Sequence, residues 1–75
     1  MTKTIGIAIF EAARQLSIAG IDSSQLDARV LMSSVLKVVP HQASLIADKG
    51  LTNAQSEEFS KVIQRRLRRV PVSHI

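Results

Sequence analysis

Seventy-five residues allow one small domain, and the absence of cysteine excludes both a disulfide framework and a cysteine-based metal site. The formal net charge is +4, but only two residues are aromatic, which leaves no stacking platform for single-stranded nucleic acid. The first residues do not have the pattern of a signal peptide, and no run approaches about 18 apolar residues, so we expect a cytoplasmic protein without a membrane-spanning segment.

The first predicted helix covers residues 4–19. Its apolar side chains recur at helical spacing and share one face: Ile5, Ile9, Ala12, Leu16 and Ala19. Gly20 follows directly, and glycine adopts the left-handed backbone beyond a last helical turn without steric penalty. We therefore expect the first helix to end at this glycine.

The second predicted helix, residues 24–38, should be the one around which the others pack. Its apolar residues recur at i, i+3, i+4, i+7 and i+11: Ala28, Leu31, Met32, Val35 and Val39. Other apolar residues widen that face, so neighbours must cover this helix on several sides. Asp22, Ser23 and Ser24 are three possible N-caps, and Ser24 with Asp27 three residues later fits an acidic capping box, with Ser23 nearly as good a candidate. Pro40 ends the helix.

The third predicted helix is short and covers residues 41–48. Leu45 and Ile46 supply its buried contact. Pro40 suits the start of this helix, because a proline at the first helical position gives up no needed hydrogen bond. Gly50 closes the helix and leads into the next one.

The last predicted helix covers residues 53–69. Thr52 is its expected cap, with Gln55 reaching back to complete a capping box. The apolar stripe of this helix comprises Phe59, Val62, Ile63 and Val70. Glu57 and Lys61 have the i, i+4 spacing of a helical ion pair.

Together these elements predict an all-α fold, a small bundle of four to five helices around the central second helix. Residues 1–70 form the bundle, and the tail from residue 71 onward is extended. The side chains that we expect to be largely buried are Ala28, Leu31, Met32, Val35, Leu45, Ile46, Phe59, Val62 and Ile63.

The sequence offers no catalytic constellation. His41 and His74 stand far apart without a neighbouring ligand at metal-binding spacing, and His41 is expected at the surface. The glycines stand alone, so none belongs to a phosphate-binding loop. We predict no catalytic, cofactor-binding or metal-ligating residue in this chain.

The basic run near the end of the chain is the cluster that stands out, and its candidate partner-binding residues are Lys61, Arg65, Arg68 and Arg69. Three interpretations are open for it. It can be a solvated face with cations favourably placed at a helix C-terminus. It can also be a contact patch for a protein, or a surface for nucleic acid or phosphate.

Arg66 differs from these neighbours because it falls inside the apolar stripe of the last helix. A cation in such a position needs a partner, or its side chain must extend outward to water. Asp27 lies at the edge of the main apolar face of the central helix. We therefore expect an ion pair between Asp27 and Arg66 where the two helices pack together.

Two segments carry a resemblance to a known family. The first is Ile18-Ala19-Gly20-Ile21 followed by Leu26-Asp27-Ala28-Arg29-Val30-Leu31-Met32, and the second is Phe59, Val62-Ile63, Arg65-Arg66 and Pro71-Val72-Ser73-His74-Ile75. Their order and spacing resemble the N-terminal domain of the HemK/PrmC protein methyltransferases, which modify a glutamine of peptide-chain release factors. The resemblance covers almost the whole chain.

The resemblance implies a substrate-recognition bundle ahead of a catalytic domain that uses S-adenosylmethionine. In that family the catalytic domain carries a glycine-rich cofactor loop and an Asn-Pro-Pro-Tyr motif, and neither is in this sequence. Residues 71–75 would then begin the connector to the catalytic domain, and this chain alone would be inactive. The implied partners are a release factor and the enzyme's own catalytic domain. The alternative is an independent basic helical module that binds nucleic acid.

Overall fold

A computed structural model describes the backbone of residues 3–74 and the side chains of residues 3–73. Its helices are α1 (Ile5–Ile18), α2 (Ser24–Leu36), α3 (Pro40–Leu45) and α4 (Asn53–Leu67), followed by a 3₁₀ turn at Val72–His74. Within this part of the chain the β structure amounts to one isolated bridge, between Thr4 and Gly50. The predicted all-α fold is confirmed. None of these helices combines the length and apolar character that crossing a bilayer requires.

Helix α2 lies at the centre and packs against each of the other three helices. Its buried apolar side chains are those predicted from the sequence: Ala28, Leu31, Met32 and Val35. Helix α1 adds Ile5, Leu16 and three small alanines, and helix α4 adds Phe59 and Ile63. The alanines let α1 approach α2 closely, so the core combines large side chains from all three helices, Leu16 of α1 among them, with the small alanines of α1.

The third helix differs from its prediction. It covers only six residues, and Leu45, which we expected to be buried, is 68% exposed. Ala43 is fully buried in its place, because residues two positions apart lie about 200° around a helix axis and so on opposite faces. Ile46 and Val62 are half-buried against the core. Gly50 does not close this helix, which ends earlier.

The three longer helices all end in the same backbone motif. In α1, the amide of Ile21 donates to the carbonyl of Leu16, and Gly20 between them has a φ of +87°. Lys37 and Arg69 occupy the matching positions after α2 and α4, with φ of +59° and +69°. A left-handed residue past the last turn satisfies carbonyls that the helix leaves free. Helix α1 ends one residue before its predicted end, and α2 and α4 each end two residues before theirs.

The helix starts match the sequence better. The hydroxyl of Thr52 accepts from the amide of Gln55 at 3.1 Å, and Gln55 Oε1 accepts from the amide of Thr52 at 3.0 Å, which confirms the capping box. Ser23, rather than Ser24, is the N-cap of α2. Its hydroxyl donates to the carboxylate of Asp27 and makes no hydrogen bond to a backbone amide.

Helix α1 begins against the loop that precedes α4. The amide of Ile5 donates to the carbonyl of Lys49 and that of Gly6 to the carbonyl of Ala47, both at 2.8 Å. In return the amide of Leu51 donates to the carbonyl of Lys3 at 3.0 Å. Backbone groups distant in sequence therefore complete the first turn of α1.

Candidate functional site

Three of the predicted partner-binding residues lie together on the solvent side of α4. Lys61, Arg65 and Arg68 are exposed and line one shallow groove, together with Glu58 and Gln64. The ion pairs of the described residues are Lys3–Glu11 and Asp27–Arg66, so none of these three cations is paired. We call Lys61, Arg65 and Arg68 the α4 cationic strip. The predicted pair between Glu57 and Lys61 is not among the ion pairs of the described residues, and both side chains are exposed.

Arg69 is separated from the strip by the turn that ends α4. Its Nη2 donates to the carbonyl oxygen of Ala19 at 2.6 Å. Ala19 caps the C-terminus of α1, where the helix dipole favours a cation. Although the side chain of Arg69 is exposed overall, its guanidinium joins the end of α4 to the end of α1. Its contact is within the domain.

The structure brings Asp27 and Arg66 together. Arg66 Nε donates to Asp27 Oδ2 at 2.9 Å, and Arg66 Nη1 donates to the carbonyl oxygen of Val70 at 3.3 Å. The two side chains are 19% and 9% exposed for Arg66 and Asp27, so water screens their attraction only weakly. This pair crosses from α2 to α4 and serves the scaffold.

Ser23 completes the same cluster. Its hydroxyl donates to Asp27 Oδ2 at 2.9 Å, so that one carboxylate oxygen accepts from both Ser23 and Arg66. The cluster links the turn before α2, the first turn of α2, the last turn of α4 and Val70, the residue before the tail. Charge-assisted hydrogen bonds of this kind are shorter and stronger than neutral ones.

The two histidines are described to different extents. His41 is exposed on the first turn of α3, as expected, and the side chain of His74 lies outside the described side chains. Among the described residues no three His, Cys, Asp or Glu side chains are grouped as a metal ion would require.

A second exposed surface was not recognised in the sequence. It runs along α1 and the first half of α2, where Phe10 and Ile18 are 68% and 78% exposed. Both residues fall outside the apolar face predicted for α1. Their position outside that face is the sequence signal that would have identified this surface, because aromatic residues and arginine are enriched at protein interfaces.

Comparison with known proteins identifies a family and several relatives. The PrmC N-terminal domain family matches residues 8–75. A bifunctional methyltransferase of Rickettsia felis is 32% identical over 75 residues, which cover 100% of this chain and 14% of the relative. A release factor glutamine methyltransferase of Rhodospirillum rubrum is 34% identical over 71 residues, or 95% of this chain and 22% of the relative. The chain matches no solved structure. Because the match runs from the second turn of α1 through the whole of α4 and the tail, the chain belongs to the PrmC N-terminal domain family.

Proposed function

We propose that this chain is the substrate-recognition domain of an S-adenosylmethionine-dependent methyltransferase that modifies a glutamine of peptide-chain release factors. The observation that carries the proposal is the similarity to the release factor glutamine methyltransferase of Rhodospirillum rubrum along 95% of this chain. Because the chain spans only 22% of that relative, we assign cofactor binding and methyl transfer to the rest of the enzyme.

The α4 cationic strip is the surface that we assign to the release factor. Its three side chains are exposed and make no ion pair within the described residues, so their charges are free for a partner. Arg66 and Arg69 bind groups of the domain itself and belong to the scaffold. Complementary charges across an interface speed association and fix the orientation of the partners. The partner surface should therefore be acidic.

The test compares two substrates of the full-length enzyme, intact release factor and a short glutamine-containing peptide. Arg65→Glu combined with Arg68→Glu should lower kcat/KM on the intact factor by about tenfold, since each reversal replaces an attraction by a repulsion. The same variant should act on the short peptide within about twofold of wild type, because the lost contacts are remote from the reacting centre. Removal of the whole domain should widen this difference.

Lys37→Glu combined with Lys49→Glu is the matched control, since it makes the same change in net charge at two exposed lysines away from α4. This control should leave both substrates unaffected. If the α4 variant or the domain deletion reduces both substrates equally, the domain does not act in recognition. If the control and the α4 variant weaken the intact factor alike, the net charge matters and the strip does not.

A further inference from the structure

A groove runs between α1 and the N-terminal half of α2, on a different face of the bundle from the α4 cationic strip. Ile9, Phe10, Arg14 and Ile18 line it from α1, and Gln25 and Arg29 line it from α2. The large apolar side chains of Phe10 and Ile18 are mostly exposed, so the packing of the bundle leaves them uncovered. We call this feature the α1–α2 groove.

The charges of the α1–α2 groove have one sign. Its lining contains two arginines and no carboxylate, and neither Arg14 nor Arg29 takes part in an ion pair of the described residues. Glu11, the acid of α1, lies one helical turn before Arg14, and its Oε1 accepts from Lys3 Nζ at 2.6 Å. The lining of the groove therefore combines apolar side chains with two unpaired cations.

We propose that the α1–α2 groove docks an acidic amphipathic helix of a protein partner. The apolar face of such a helix would cover Phe10 and Ile18, and its carboxylates would pair with Arg14 and Arg29. Helices that bind a groove in this way use apolar anchors spaced at i, i+3, i+4 and i+7. The proposal concerns a surface distinct from the α4 cationic strip, and it holds whether or not the partner is a release factor.

Other occupants fit the groove less well. A second copy of this chain would bring arginines against arginines, and the net charge of +4 adds to that repulsion. Anionic membranes are bound by clusters of roughly four to eight Lys and Arg, whereas the groove holds two arginines. Single-stranded nucleic acid requires several aromatic platforms, and Phe10 is the single aromatic residue of the groove.

Nuclear magnetic resonance of the ¹⁵N-labelled chain tests the proposal directly. The probe is a synthetic helical peptide with leucines at i, i+4 and i+7 and glutamates on both flanks of the apolar face. A second peptide carries lysine in place of each glutamate. We expect the acidic peptide to cause saturable shifts in the amides of Phe10, Ile18 and Gln25. The lysine peptide should cause none.

Two variants with matched controls locate the contact. Phe10→Ala should weaken binding of the acidic peptide at least about fivefold, as the loss of a central anchor does. Leu45→Ala is its control, because Leu45 is also 68% exposed but lies on α3. Arg14→Glu combined with Arg29→Glu should weaken binding at least about tenfold. Lys37→Glu combined with Lys49→Glu, with the same change in net charge, should leave binding unaffected.

Several results would overturn the proposal. One is that the acidic peptide causes no shifts, or that both peptides bind equally. Another is that the shifts map to the α4 cationic strip or that the groove variants bind as well as their controls. Shifts of the groove amides on addition of phosphatidylserine vesicles, in the absence of any response to the peptide, would assign the groove to a membrane surface. All the substituted side chains are exposed, and unchanged circular dichroism of each variant will verify its fold.

Discussion

The guanidinium of Arg66 holds together parts of the chain that are far apart in sequence. Its Nε binds Asp27 on α2, and its Nη1 binds the carbonyl of Val70, the residue before the tail. A buried ion pair adds little net stability over an apolar pair of the same shape, but removal of one partner strands the other charge away from water. We therefore expect the loss of Arg66 to destabilise the domain by much more than the intact ion pair stabilises it.

We predict that Arg66→Ala destabilises the domain by about 2–4 kcal/mol, between the values for surface pairs and for fully buried pairs. Arg65→Ala and Arg68→Ala change exposed side chains and should stay within about 0.5 kcal/mol of wild type. Arg66→Lys should fall in between, because an ammonium group cannot reproduce the two-sided geometry of the guanidinium. Urea unfolding monitored by circular dichroism measures all four variants.

Asp27→Asn provides the control through a double-mutant cycle. If the carboxylate is the main partner of Arg66, the effects of Asp27→Asn and Arg66→Ala should be less than additive when combined. Full additivity, or an Arg66→Ala variant as stable as Arg65→Ala, would contradict the scaffold role of Arg66.

At the scale of single residues, the sequence predicted a contact where the residue types themselves indicate the partner. Arg66 stands in an apolar stripe and therefore needs an acid, and Asp27 was placed at the edge of the facing helix. Arg69 gave no such signal, because its partner is the backbone carbonyl of Ala19, 50 positions away. Every residue has a carbonyl, so nothing in the residue types distinguishes Arg69 from Arg65.

The ends of the helices show the limit of predicting secondary-structure elements from this sequence. Gly20 was correctly placed after α1, since glycine is the usual residue at a left-handed position. Lys37 and Arg69 occupy equivalent positions without being glycine, so the helices α2 and α4 were predicted too long. The short α3 was predicted too long, and its buried residue was predicted wrongly, for another reason. A helix of six residues has too few positions to establish which face is apolar, and we expected Leu45 and Ile46 to supply the contact that Ala43 makes.

Lys37→Gly should stabilise the domain by about 0.5–1 kcal/mol. The left-handed backbone of Lys37 strains an L-residue, and the relief of that strain outweighs the added freedom of glycine in the unfolded chain. In a domain of this size the gain should raise Tm by about 2–8 °C. Differential scanning calorimetry measures the shift.

Lys49→Gly is the comparison for this variant, because Lys49 is exposed and has no positive φ. It should be neutral or lower the Tm. If both glycine variants shift the Tm in the same direction, the left-handed strain at Lys37 is not the cause.

At the scale of the whole molecule, the sequence predicted the architecture well because the apolar face of α2 is unusually broad. A helix of that kind has to be central, and amphipathic neighbours of suitable length can cover it in few ways. The all-α class and the core of α2 and α4 followed from this pattern. The packing of α1 against the loop of residues 47–51 did not follow, because backbone hydrogen bonds between distant segments have no residue code.

The isolated chain should not bind S-adenosylmethionine. Its three glycines are separated in sequence, and each has a local place: Gly6 packs against Ala47, Gly20 ends α1, and Gly50 pairs with Thr4. No glycine-rich loop is therefore available to approach the cofactor. Isothermal titration calorimetry should show no saturable heat with this chain, and the full-length enzyme serves as the positive control. Saturable binding at micromolar cofactor would contradict this prediction.

The way α1 begins also affects when the domain can be completed during synthesis. The first amides of a helix usually exchange with solvent quickly, because ends fray at almost no free-energy cost. In this chain the amides of Ile5 and Gly6 donate to carbonyls of Lys49 and Ala47, so they should exchange as slowly as amides in the middle of α2. At about 5–20 residues per second, the ribosome needs a few seconds to make the intervening chain. The first helix to leave the ribosome would thus be one of the last to be finished.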